Sequence, residues 1–143
     1  MSYRRGSTIA LLITAFLWSG CAEFQSMGGM DTLTKLLSSQ LGVTQNQATG
    51  GTGSVLTLAK EKLPGSDFSS LSSMIPGADT FMKSAKDLGA VTGPIKDKGG
   101  LESAFSRLGM GSEMVPKFSQ VLGDFVGKAG GEPARNLLAM VMQ

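Results

Sequence analysis

Between Leu41 and Leu63 the chain reads LGVTQNQATGGTGSVLTLAKEKL, and this stretch commits the chain to helix on both sides of a sharp break. Leu41 closes a short amphipathic run. Gly42 is the residue type that takes the left-handed conformation just past a helix end, and Val43 can fold back onto the run it follows. Thr44 then stands three residues before Gln47. At that spacing the Thr hydroxyl accepts from the amide of Gln47 while the Gln side chain accepts from the amide of Thr44, which starts a new helix. From there Ala48, Thr52, Val55, Ala59 and Leu63 recur every three or four residues, flanked by Leu56 and Leu58. One face of this helix is expected in the core, with Lys60, Glu61 and Lys62 toward water.

Gly50, Gly51 and Gly53 sit inside that helical register, where each costs roughly 1 kcal/mol relative to Ala. Something has to offset them. Close packing does so: without a Cβ, another helix backbone can approach this face. The alternative is a ligand-facing loop, in which Gly-Gly-Thr-Gly-Ser opens a helix at Ser54 and presents bare amides to an anion. Against it, no Lys follows in phosphate-loop register, the third glycine of a dinucleotide fingerprint is missing, and no strand precedes.

At the N-terminus Arg4 and Arg5 precede an uncharged apolar run from Thr8 to Trp18, short for a bilayer span and suited to the core of an export signal. The run ends in Leu17-Trp18-Ser19-Gly20-Cys21, which resembles the lipobox of bacterial lipoproteins, although Trp18 stands where Leu is usual. Residues 1–20 are then a lipoprotein signal peptide, and Cys21 is lipidated and membrane-anchored. Ala22 after it, being no Asp, resembles outer-membrane sorting. The alternative is ordinary cleavage after Ala22, which leaves a soluble periplasmic protein. The Arg pair lacks the hydrophobic continuation of a twin-arginine signal. Residues 21–30 read as the lipidated Cys and a flexible tether, and residues 31–143 as one helical domain.

Within that domain Asp31 is expected to cap a helix with Leu33, Leu36, Leu37 and Leu41 inward. Pro64-Gly65 stops the central helix, and Ser66 or Asp67 caps a short piece ending near Pro76-Gly77. A helix from Ala78 to Leu88 follows, and the stretch from Ala90 to Gly100 reads as loop. Then the opening pattern recurs: Leu108-Gly109-Met110 aligns with Leu41-Gly42-Val43, and Ser112 is placed to cap a helix to about Lys128. The chain looks internally duplicated. Phe118, Val121 and Leu122 carry bulk where the central helix has none, so this segment is expected to fill the glycine groove. Gly130-Gly131 ends the helix, and Pro133 opens a last one. No stretch alternates like a strand, so the fold is all-α: a compact irregular bundle of six or seven short helices with an internal pseudo-repeat.

The chemistry available is narrow. There is no His, and the single Cys is assigned to lipid, which removes the common nucleophile–base pairs and zinc sites. Asp67, Asp79 and Asp87 are carboxylates placed more like helix caps and first-turn acids than like an acid–base pair. Met27 with Met30, or Met140 with Met142, could bind Cu(I), but Met74, Met82, Met110 and Met114 stand in or beside apolar runs as packing. No metal, cofactor or catalytic residue is assigned. Of 13 basic and 11 acidic residues, export removes Arg4 and Arg5, leaving 11 against 11 and no basic patch for nucleic acid. The expectation is a non-enzymatic envelope protein that binds another envelope protein through a helical scaffold domain. The alternative is a carrier of lipid or another apolar ligand.

The run Leu41-Gly42-Val43, Gln47-Ala48, Gly50-Gly51, Gly53, Leu58-Ala59-Lys60, Asp67-Phe68 and Ile75-Pro76-Gly77 resembles the VcgC/VcgE family of proteobacterial proteins of unknown function. Leu108-Gly109 and Gly130-Gly131 fit its C-terminal half. The resemblance covers about Asp31 to Met142. It implies a Gram-negative envelope protein and carries no catalytic residue, ligand or partner with it.

Overall fold

The computed structural model describes residues 28–143, so the signal peptide, Cys21 and most of the tether lie outside the described residues. Six helices follow one another: α1 (Gly28–Leu41), α2 (Gln45–Lys62), α3 (Gly65–Ser73), α4 (Ala78–Asp87), α5 (Lys98–Arg107) and α6 (Met114–Val141). Among the described residues there is no strand, and the all-α expectation holds.

The centre of the bundle is α2. Its first turn is the predicted capping box: the Thr44 hydroxyl accepts from the Gln47 amide at 3.2 Å, and Gln47 Oε1 accepts from the Thr44 amide at 3.0 Å. The periodicity predicts one buried face, but every residue from 50 to 59 is buried, so other elements surround the middle of this helix. Three hydroxyls are enclosed with it and satisfied inside the helix, because each bonds the carbonyl four residues back. Thr52 donates to Ala48 at 2.8 Å, Ser54 to Gly50 at 2.7 Å and Thr57 to Gly53 at 2.8 Å. This is how a Thr- and Ser-containing helix is tolerated in an apolar interior. Lys60, Glu61 and Lys62 are exposed.

The helix–glycine–helix pattern recurs as the sequence suggests. Gly42 and Gly109 both have left-handed backbones, φ +68° and +76°, and the residue after each, Val43 and Met110, is buried. The two junctions also touch: Gln47 Nε2 donates to the carbonyl of Leu108 at 3.0 Å. One side chain thus closes the start of α2 and takes up an otherwise open carbonyl at the end of α5.

Four helix starts differ from the sequence expectation. α1 begins at Gly28, not after Asp31, so residues 28–30 of the expected tether are helical and Asp31 lies in the first turn. Packing explains it, since a Cβ at Gly29 would overlap the ring of Pro76. α3 starts at Gly65 directly behind Pro64, with no side-chain cap from Ser66 or Asp67. α5 starts at Lys98 inside the expected loop, because Asp97 Oδ1 accepts from Gly100 N at 2.7 Å and draws both glycines into the first turn. α6 begins behind Glu113, with no side-chain cap and so none from Ser112.

At Gly131 α6 leaves helical geometry (φ 70°, ψ −160°), a conformation available to glycine and costly to other residues. The helix bends there, and Pro133 falls in the first turn of the second arm, where it lacks no bond the helix would make. Arg135 of the second arm meets Asp124 of the first at 3.1 Å. The core between these elements includes Phe81, Phe105 and Phe118, all fully buried, with Phe105 edge-on to Phe118 at 5.0 Å.

Candidate functional site

The three glycines of α2 lie on a continuous helix, and no phosphate-cradling loop opens at Ser54. Each is covered by a different neighbour. A Cβ on Gly53 would fall on the carbonyl oxygen of Phe81 and within 2.7 Å of the Ala85 Cβ, so the backbone of α4 lies directly against this position. On Gly51 it would meet the tip of the Phe118 ring at 2.7 Å, and on Gly50 the side-chain ends of Leu108 at 2.7 Å and Leu88 at 3.2 Å. The backbone that approaches the seam therefore belongs to α4, not to the segment around Phe118, Val121 and Leu122. Phe118 contributes only its ring. α4 suits the role because Phe81 and Ala85 share one face, and the small Ala85 lets its backbone come close.

The remaining candidates separate instead of converging. Asp67 is half-buried in the first turn of α3. Asp79 and Asp87 are exposed near opposite ends of α4, about 12 Å apart along the axis, too far for an acid–base pair. Among the described residues no group of three or more His, Cys, Asp or Glu could hold a metal ion. Met30, Met74, Met82, Met114 and Met142 pack against the core, Met110 is buried, and Met140 is 57% exposed. Met140 and Met142 are two residues apart, so they point to different sides of the helix. Met27 lies outside the described residues.

Open space is found at the surface. The bend of α6 leaves a groove of about 270 Å³ between its arms, lined by Ser119, Gln120, Gly123 and Asp124 on one side and by Arg135, Leu138, Ala139 and Met142 on the other. It is mainly apolar, with the Asp124–Arg135 pair at its edge. A second cleft, about 410 Å³, lies between Thr57, Lys60 and Glu61 of α2, Met82 and Lys86 of α4, and the segment 91–94. Arg107 holds that segment from α5, donating to Thr92 Oγ1 at 2.7 Å. Neither cleft is legible in the sequence. The residues of the first come from two arms whose reversal depends on one glycine, and only the Gly130-Gly131-Pro133 break signals it.

No helix among the described residues is long and apolar enough to cross a membrane. The chain matches no curated protein and no solved structure. The family model described as protein of unknown function VcgC/VcgE (DUF2780) matches residues 20–143. With the helix–glycine junctions, the glycine-bearing α2 and the Gly130-Gly131 break all inside that span, the chain belongs to the VcgC/VcgE family.

Proposed function

We propose that this protein is a cell-envelope lipoprotein, anchored through Cys21 at the outer membrane with its helical body facing the periplasm. The body acts by binding another envelope protein and not by catalysis. The observation that carries the second part is the occupied seam. The small-residue face that could have admitted a ligand is filled by Phe81, Ala85, Phe118, Leu108 and Leu88, which leaves the outer surface for recognition. The first part is supported by the apolar run behind Arg4 and Arg5 and by the small residues leading to the only cysteine of the chain.

Four measurements test it. Mass spectrometry of the mature N-terminus should find a lipidated Cys21, and Cys21→Ser should move the protein out of the membrane fraction. An unmodified chain starting at Glu23 refutes the anchor. Native mass spectrometry of protein released from its own envelope should then show a protein partner at fixed stoichiometry. A stoichiometric lipid in its place establishes the carrier. Turnover lost on changing one carboxylate, Asp67, Asp79 or Asp87, establishes an enzyme.

A further inference from the structure

We draw no further inference here: the strongest candidate, the mainly apolar groove of about 270 Å³ between the two arms of α6, with Gly123, Leu138 and Met142 in its lining and the Asp124–Arg135 pair at its edge, carries nothing because nothing in the structure shows what covers it.

Discussion

Gly53→Ala is the sharpest test of the packing, because helix propensity and contact geometry predict opposite signs. Propensity alone favours Ala in a helix interior by about 1 kcal/mol. The added methyl would stand 2.7 Å from the Ala85 Cβ and closer still to the carbonyl oxygen of Phe81. Carbon–carbon contact becomes comfortable at about 3.5 to 4.0 Å, so α4 would have to withdraw by about 1 Å. A backbone carbonyl cannot rotate out of the way as a side-chain end can. Withdrawal loosens the packing of Phe81 and Ala85, both fully buried, and overpacking of this kind costs about 1 to 3 kcal/mol. Because the obstacle is backbone, the cost falls in the upper part of that range, about 2 to 3 kcal/mol, and less the propensity gain of about 1 kcal/mol the net loss is about 1 to 2 kcal/mol, or a melting temperature lower by about 4 to 8 °C for a domain of this size. The two neighbouring glycines supply internal controls. Gly51→Ala meets the Phe118 ring, held edge-on by Phe105, and should be intermediate. Gly50→Ala meets only the ends of Leu108 and Leu88, which can turn aside, and should be mildest. Urea unfolding followed by circular dichroism, with the slope unchanged, reads all three. A Gly53→Ala protein as stable as wild type, or less perturbed than Gly50→Ala, would refute the reasoning.

Other substitutions probe separate joints of the structure. Gln47→Ala removes both the return half of the capping box and the bond to Leu108, and should cost about 2 kcal/mol in urea unfolding. Gln47→Glu keeps an acceptor for Thr44 N but offers no donor to Leu108, so it should cost distinctly less; equal losses would mean the cap contributes nothing. Gly131→Ala should cost about 1 to 3 kcal/mol, because only glycine takes this backbone conformation readily. A thermal melt identical to wild type would show that α6 can follow another path. Asp97→Ala should lower stability by about 1 kcal/mol and Asp97→Ser by less, measured in the same way. The reverse order would show that Asp97 does not act as a cap.

Local chemistry makes the α1–α2 junction legible in the amino-acid sequence. Gly42, Thr44 and the capping half of Gln47 act on their own neighbours, so spacing alone specifies them, and the same holds for Gly109 and Pro133, whereas the bond from Gln47 to Leu108 spans 61 residues and spacing does not show it. The false helix starts share a source, a residue able to cap that is not used. Asp31, Ser66 and Ser112 can all cap, and none does so as a helix start: Gly29 packs on Pro76 ahead of Asp31, Pro64 stands ahead of α3, and α6 starts behind Glu113 with no side-chain cap. α2 misleads in a different way. Ser54 and Thr57 count as polar, yet each hydroxyl is spent on its own helix, so a helix enclosed on all sides reads as one with a wet face. Periodicity shows that a face is covered and not by what. The choice of α4 over α6 as the backbone on Gly53 depends on a long-range fit between Gly53 and Ala85. The grooves are hidden for the same reason, since Asp124 and Arg135 become neighbours only after the chain turns at Gly131.

The enclosure of α2 also sets where this molecule can move. Amides at a surface exchange with solvent through small local openings, but those in the middle of α2 have protein on every side. They can meet water only when the helices that cover them, α4 above all, come away, so their exchange rates should approach the global stability. α2 thus behaves as a fixed axle. Any change of shape the protein makes in its work is a rearrangement of the outer helices about it.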